Sequence, residues 1–189
     1  DVGDTAPAGF AVAGTATVLG GTKRGTDQNF YLAVTNGPGN LSEVDLGKVA
    51  GAVTTKRSVT DIATAGGRTV AVGSANGKAA AWTSTDGVTW SRADTGPLSA
   101  ASPGDSAQQN LATVVHGTQG WLAIGTRGGR PIAATSADGR SWQPLADNTF
   151  ATADGRPMTL SAAANGPKGY VVAGTVRDSD TRSSATAWY

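Results

Sequence analysis

The stretch that decides the fold reads Ala79-Ala80-Ala81-Trp82-Thr83-Ser84-Thr85-Asp86-Gly87-Val88-Thr89-Trp90. It has two strand-like runs on either side of the pair Asp86-Gly87. Asp-Gly is a preferred pair for a type I′ hairpin turn, in which both central residues have positive φ. The stretch therefore predicts two antiparallel strands joined by a tight turn, with the Trp90 ring buried on the outgoing strand.

The pattern recurs, which indicates a repeat protein. The turn returns as Ser136-Ala137-Asp138-Gly139-Arg140-Ser141-Trp142. A second signature is an apolar run that ends in Gly followed by Thr or Ser, which suits a strand whose glycine lies at a bulge or a close backbone approach. It occurs four times, roughly 50 to 60 residues apart, as Phe10–Thr15, Thr69–Ser74, Trp121–Thr126 and Tyr170–Thr175.

Each repeat predicts four strands in a constant order. A first strand precedes the signature, the signature is the second strand, and a third strand leads into the turn and a fourth strand. This up-and-down order is typical of a β-propeller blade, and it fits a two-sheet sandwich less well. The predicted first strands are Thr60–Ala65, Leu111–His116 and Met158–Ala163, and the predicted third strands are Phe30–Thr35, Lys78–Thr85, Arg130–Ala137 and Ser184–Tyr189.

We therefore predict an all-β chain that forms a β-propeller segment of about four blades. The predicted blades span residues 1–57, 58–105, 106–155 and 156–189, and the first has only a weak opening strand. Trp188-Tyr189 aligns with Trp82-Thr83, so the fourth blade lacks its outer strand and has an open edge. The expectation is that a continuation of the chain, a partner polypeptide or the N-terminal segment completes this sheet, within a ring of four blades or half of a seven- or eight-blade ring.

Composition excludes several classes of protein. Of 189 residues, 27 are Gly, none is Cys and 15% are charged, with a net charge of +1. The lack of Cys excludes a disulfide scaffold and a thiolate metal site, and the small net charge gives no reason to expect a nucleic acid partner. No apolar run approaches the ~20 residues that cross a bilayer. Abundant Thr, Ser, Ala and Gly with little Lys favours a secreted or cell-surface bacterial protein.

The turn sequences resemble the Asp-box, or BNR repeat, of sialidase-like β-propellers. That pattern is Ser-x-Asp-x-Gly-x-Thr-Trp, and both copies here lack one spacer residue; the first repeat keeps only Asn36-Gly37. The resemblance implies that the boxes lie between the third and fourth strands, away from the functional face. It thus implies a turn-forming role for Ser84, Asp86, Gly87 and Trp90, and for Ser136, Asp138, Gly139 and Trp142.

The chain offers few residues for catalysis. A sialidase-like hydrolase uses an arginine cluster, a Tyr/Glu nucleophile pair and an acidic general acid, whereas Glu43 is the only glutamate and His116 the only histidine. Asp178-Ser179-Asp180 lacks the further ligands of a calcium loop. We therefore predict no catalytic residue, no metal and no cofactor in this segment, while a hydrolase with residues in an absent half is the alternative.

The cations favour one face as a binding surface. In a propeller, the loops from strand two to three and from strand four to the next blade lie on the same face, here called the loop face. Long loops on a rigid scaffold commonly bind ligands. We predict a protein or glycan partner there, with assembly through the open sheet edge as a further alternative. The predicted ligand-binding residues are Lys23, Arg24, Arg127, Arg130, Arg177 and Arg182.

Overall fold

The chain is almost entirely β-strand in a computed structural model. The structure describes residues 5–13, 16–23, 29–35, 41–44, 49, 57–99, 107–146, 149–150, 152, 154–179 and 181–189. Within them lie four antiparallel sheets, whose strands neighbour one another in chain order. None of the described helices is long and apolar enough to span a bilayer.

Among the described residues, three sheets have four strands and the fourth has three. The one helix in the described part, α1, has four residues and follows the second sheet. The first sheet contains β1 (Thr5–Ala13), β2 (Ala16–Lys23), β3 (Asn29–Thr35) and β4 (Leu41–Glu43); the second contains β5 (Arg57–Ala65), β6 (Arg68–Ala75), β7 (Lys78–Ser84) and β8 (Trp90–Arg92), followed by α1 (Gly96–Ser99); the third contains β9 (Gln109–Gly117), β10 (Gly120–Arg127), β11 (Arg130–Ser136) and β12 (Gln143–Pro144); the fourth contains β13 (Met158–Gly166), β14 (Gly169–Ser179) and β15 (Arg182–Trp188).

The sheets are arranged as propeller blades, which confirms the predicted fold class. The first strands contact one another in succession, β1 with β5, β5 with β9 and β9 with β13, so they form the inner wall. Each pair of successive sheets encloses its own apolar cluster. Trp82 lies between the first and second sheets, Trp142 between the second and third, and Leu160 between the third and fourth. The described sheets fall within the predicted blades except that β5 begins at Arg57; the blade limits and the blade total stay predictions.

A β-bulge in each first strand explains the recurring glycine. The register slips after Val59, and Val59 pairs with Gly73 of the second strand. A Cβ on Gly73 would lie 1.9 Å from the Ser58 carbonyl oxygen, and a Cβ on Gly125 would lie 1.9 Å from that of Asn110. Only glycine fits where the bulged backbone approaches this closely. The predicted bulge or close approach is thus confirmed.

The strand assignment in the first repeat was wrong. Phe10 to Ala13 lie in the first strand, β1, and the second strand is β2 (Ala16–Lys23). Pro7 of β1 pairs with Gly21, which places Gly21 at the position of Gly73. Residues 10–23 carry two Gly-Thr pairs, Gly14-Thr15 and Gly21-Thr22, and only the pair opposite the bulge marks the second strand. The first blade therefore has a full opening strand, and Ala16 to Lys23, between the predicted strands Phe10–Thr15 and Phe30–Thr35, form β2.

The two-residue type I′ turn was predicted at the wrong hairpin. Thr85 to Thr89 form a five-residue loop between β7 and β8, and Gly87, with φ 76°, is its only residue in the left-handed region. Two-residue turns with both φ values positive occur elsewhere, at Gly66-Gly67, Asn76-Gly77 and Gly128-Gly129. The first joins a first strand to a second strand, and the other two join second to third strands. Asn36-Gly37 lies outside the described residues.

Backbone pairing also links the second sheet to the third. The Asp94 N–H donates to the Arg140 carbonyl at 2.6 Å, and the Trp142 N–H donates to the Asp94 carbonyl at 2.9 Å. Asp94 and Ser141 thereby form a parallel bridge. The segment after β8 is thus hydrogen-bonded directly to the turn of the next blade.

Candidate functional site

The first Asp-Gly turn is held by side-chain hydrogen bonds. Ser84 Oγ accepts the Gly87 N–H at 2.8 Å and donates to Asp86 Oδ1 at 2.9 Å. Asp86 Oδ1 also accepts the N–H groups of Val88 and Thr89, at 2.8 and 2.6 Å. An Asp carboxylate that accepts backbone N–H groups of its own turn stabilises that turn. This network occupies the carboxylate within the loop.

The second turn repeats the network. Ser136 Oγ accepts the Gly139 N–H at 2.8 Å, and Asp138 Oδ1 accepts the Arg140 and Ser141 N–H groups at 2.8 and 3.1 Å. The aromatic residues after the two turns differ. Trp90 is buried and its Nε1 donates to the Gly87 carbonyl at 2.8 Å, whereas Nε1 of the fully buried Trp142 has no hydrogen-bond partner among the described atoms.

The turn of Asp86 gives a prediction about pH. The hydrogen bond from the Thr89 N–H is the largest cause that lowers the pKa of Asp86 from 3.8 to about 2. A carboxyl whose pKa is lower in the folded state stabilises above its unfolded pKa, and this contribution is lost as pH falls through the folded pKa. We expect the free energy of unfolding to fall by about 1 kcal/mol more in wild type than in Asp86→Asn between pH 5 and 2, allowing for solvent screening.

Urea unfolding of both proteins across this pH range measures the difference. Asp138 serves as an internal comparison, because the Arg140 N–H is the largest cause that lowers its pKa in the same way. Parallel pH profiles for wild type and Asp86→Asn would contradict the assignment.

The structure brings Arg127 and Arg130 together on the hairpin between β10 and β11. They are paired in register across the ladder, at the two ends of the Gly128-Gly129 turn. The Gly128 N–H donates to the Gln108 carbonyl at 2.9 Å, which fixes the hairpin to the segment before β9. Arg130 is exposed and Arg127 is half-buried. The hairpin is thus a firmly placed cationic feature of the loop face.

Arg127 lines a cavity of about 570 Å³ at the side of the third sheet. This is within the usual range of small-ligand pockets. The cavity lies among α1, the β10–β11 hairpin, β12 and the segment after β12. Its lining residues are Pro97, Leu98, Arg127, Pro131, Ile132, Ala133, Pro144, Leu145, Ala146 and Phe150.

Three of the other predicted ligand-binding residues, Lys23, Arg177 and Arg182, lie on two further hairpins. Arg177 on β14 pairs with Ser183, and Arg182 begins β15 opposite Ser179; both arginine side chains are exposed. Lys23 ends β2, and Arg24 lies outside the described residues. Three sheets thus contribute these cations at equivalent hairpins. Among the described cations, Arg127 is the one that lines the cavity.

Asp61 on the inner strand β5 was not found by sequence reasoning. Its Oδ1 accepts the Ile62 N–H at 2.8 Å, and its Oδ2 accepts the Val114 N–H at 2.9 Å. Val114 lies on β9, so the carboxylate links the inner strands of two blades. Burial is the main cause that raises the pKa of Asp61. Since both oxygens accept backbone N–H groups, the arrangement indicates a structural role.

The described part of the chain holds no cluster of three or more His, Cys, Asp or Glu side chains that could bind a metal ion. Asp178, considered above for calcium, contacts the Arg156 guanidinium and the Ser184 hydroxyl. Arg156 also contacts Asp154, with 2.7 Å between Nε and Oδ2. These carboxylates are therefore members of an exposed ion-pair network.

No protein-family model matches the sequence, and no curated protein sequence matches it. Solved structures do match its fold. A protein of the GH130 family, which contains glycoside hydrolases that target β-1,2-mannosidic linkages in Candida mannan, is 16% identical with a TM-score of 0.54, over 97% of this chain and 65% of that chain. A GH32 β-fructofuranosidase of Bombyx mori in complex with sucrose is 12% identical with a TM-score of 0.51, over 97% and 45%.

A sialidase of Trypanosoma rangeli in complex with sialic acid is 12% identical with a TM-score of 0.51, over 91% of this chain and 34% of that one. The likeness shows a β-propeller fold. The chain spans less than two thirds of the length of each of these three proteins.

Proposed function

We propose that this chain is a non-catalytic module of a secreted or cell-surface protein and binds a partner through the loop face. The observation that carries the proposal is the cavity of about 570 Å³ beside Arg127, on a hairpin fixed to the scaffold. Preformed concave sites with one well-placed charged group are typical of binding sites. The exposed Arg130 lies on the same hairpin as Arg127, and the exposed Arg177 and Arg182 lie on the equivalent hairpin of the fourth sheet.

The partner is a protein or a glycan. Most of the described lining residues are apolar in type, but the cavity wall exposes more polar than apolar surface, so it offers hydrogen-bonding groups as well as apolar contacts. We also propose that the two Asp-Gly turns are degenerate Asp-boxes that form blade hairpins and take no part in binding, as their internal hydrogen bonds support.

The loop face can be tested with ligands selected on the purified chain. Peptides from a phage-displayed library would be ranked by biolayer interferometry. We expect Arg127→Ala to weaken selected ligands about tenfold, because a hydrogen bond to a charged group contributes about 1.5–3 kcal/mol. Arg140→Ala is the matched control, since Arg140 is an exposed arginine on the turn of the opposite face. Ligands insensitive to Arg127, Arg130 and Arg177 would contradict the proposal.

A glycoside hydrolase is the second candidate, because the matched propellers named above include a β-fructofuranosidase and a sialidase. On this proposal, the catalytic residues lie partly outside this chain. Incubation of the complete natural protein with a panel of fluorogenic glycosides tests it, and the absence of turnover across the panel would remove it.

Assembly through the edge of the fourth sheet is the third candidate. In the other sheets a fourth strand pairs with the third, whereas β15 is the outermost described strand of its sheet. An edge strand offers backbone N–H and C=O groups to a second polypeptide. Light scattering of the purified chain tests this candidate, and a stable monomer would argue against it.

A further inference from the structure

The first sheet carries exposed apolar residues on the face that points away from the second sheet, here called its front face. Phe10 and Val12 on β1 are 72% and 58% exposed. Successive residues of a strand point to opposite faces, and Ala11 between them packs in the cluster shared with the second sheet. Phe10 and Val12 therefore lie on the front face, and neither belongs to any of the three clusters described above.

The second and third sheets bury the same position. Phe10, Ile62 and Val114 each lie three residues after the strand residue that pairs with the glycine at the bulge. Ile62 is 5% exposed and packs in the cluster with the first sheet, and Val114 is 2% exposed and packs in the cluster with the second. At this position, the front face of a blade thus contacts the blade before it.

The fourth sheet has the complementary position on its back face, which points away from the third sheet. Ala173 precedes Gly174, the glycine at the bulge, and pairs with Ala187; Ala187 is exposed and Ala173 is half-buried. The equivalent pairs are Val72 with Ala81 in the second sheet and Ile124 with Ala133 in the third. Each side chain of these two pairs is at most 5% exposed, because the next sheet covers it.

The contacts between neighbouring described sheets share one form, in which the back face of one sheet receives the front face of the next. The two end faces are the two halves of such a contact, with the Phe10 ring on one and alanine methyl groups on the other. A second copy of the chain supplies both halves at once. Contacts between unlike faces form a ring where the rotation closes, and two copies of four sheets give eight blades, within the usual range of about 4–8.

We infer that the chain binds a second copy of itself head to tail, with the front face of each first sheet packed on the back face of the other copy's fourth sheet. Phe10 of one copy then lies against the small side chains around Ala173 and Ala187 of the other. The net charge of +1 per chain gives little repulsion between the copies. This contact goes beyond the loop-face binding proposed above, and it uses side chains on the sheet faces rather than the backbone edge of β15.

Sedimentation velocity of the purified chain over a range of concentrations tests this contact. We expect a species of twice the 18.8 kDa of one chain. Phe10→Asp should raise its dissociation constant at least about tenfold, because a buried aromatic side chain is replaced by a charged one. Val88→Asp is the matched control, since Val88 is 55% exposed in the first Asp-Gly turn and should leave the dissociation constant unchanged. At concentrations where the copies are apart, Phe10→Asp should unfold in urea like wild type, which separates association from folding.

Cross-linking tests the orientation. The chain has no Cys, so Phe10→Cys and Ala187→Cys each introduce a single thiol. A bifunctional maleimide should join the two variants when they are mixed and should leave each variant unlinked when it is alone, because unlike faces meet. Val88→Cys mixed with Ala187→Cys is the control and should stay unlinked.

Three results would overturn the inference. The first is a chain that stays monomeric at its highest soluble concentration. The second is a dimer that Phe10→Asp does not weaken, which would favour the β15 edge. The third is cross-linking of Phe10→Cys with itself, which would show that like faces meet. None of these substitutions alters a predicted loop-face residue, so the loop-face proposal stands or fails separately.

Discussion

Replacing Gly125 with alanine is expected to lower the free energy of unfolding by about 3–5 kcal/mol. The new Cβ would lie 1.9 Å from the Asn110 carbonyl oxygen and 2.7 Å from the Leu111 Cα. Both atoms belong to the backbone of a bulged inner strand, so no side-chain rotation relieves the overlap. Overpacking commonly costs about 1–3 kcal/mol, and a backbone overlap belongs at the upper end or beyond. The total free energy of unfolding of many domains is only about 5–15 kcal/mol, so a loss of this size is a large share of it.

Gly166→Ala is the matched control for this substitution. Gly166 also lies in a strand and has no positive φ, and its nearest contact for an added Cβ is 3.3 Å away. We expect that change to alter the free energy of unfolding by less than about 1 kcal/mol. Urea unfolding monitored by tryptophan fluorescence measures both variants. Equal effects would show that the bulge is not what requires glycine at position 125.

Removing the Trp142 ring is expected to cost about 3–5 kcal/mol, as for other buried aromatic residues replaced by alanine. Trp142 is fully buried between the second and third sheets, where its ring packs in the cluster that contains Leu111 and Trp121. Phe10→Ala is the control, because Phe10 is 72% exposed and should change stability by at most about 0.5 kcal/mol.

A phenylalanine separates the packing of this ring from its polar atom. Trp142→Phe should lose less than Trp142→Ala, since Nε1 of Trp142 has no hydrogen-bond partner among the described atoms. Trp90→Phe is the comparison, because that change removes a hydrogen bond, from Nε1 to the Gly87 carbonyl, as well as part of the ring. Chemical unfolding of the three variants measures these differences. A Trp142→Phe protein as unstable as Trp142→Ala would contradict the packing interpretation.

Much of the fold could be predicted because local patterns repeat. The strands of the second and third repeats were located from apolar runs, and Gly73 and Gly125 marked the second strand through a backbone contact that only glycine permits. The strand assignment in the first repeat was wrong because Gly14-Thr15 and Gly21-Thr22 have the same local sequence pattern. Only the register of Pro7 with Gly21 distinguishes them, and register depends on the partner strand.

The site was less predictable, because its geometry depends on contacts between distant segments. Arg127 was identified from the charge of its loop, but the cavity depends on α1 and on the segment after β12. Composition gave no sign of α1. Asp61 carried no signal in the sequence either, since its partner in the next blade is a backbone N–H, which every residue except proline offers.

The pairing of Asp94 with Arg140 and Trp142 has a consequence for how the blades come apart. If the second sheet opened alone, the Trp142 N–H and the Arg140 carbonyl would lose their partners, and so would the two backbone groups of Asp94. Arrays whose neighbouring repeats meet only through side chains can fray one repeat at a time. We therefore expect the shared backbone bonds to make the second and third sheets open together more readily than one at a time.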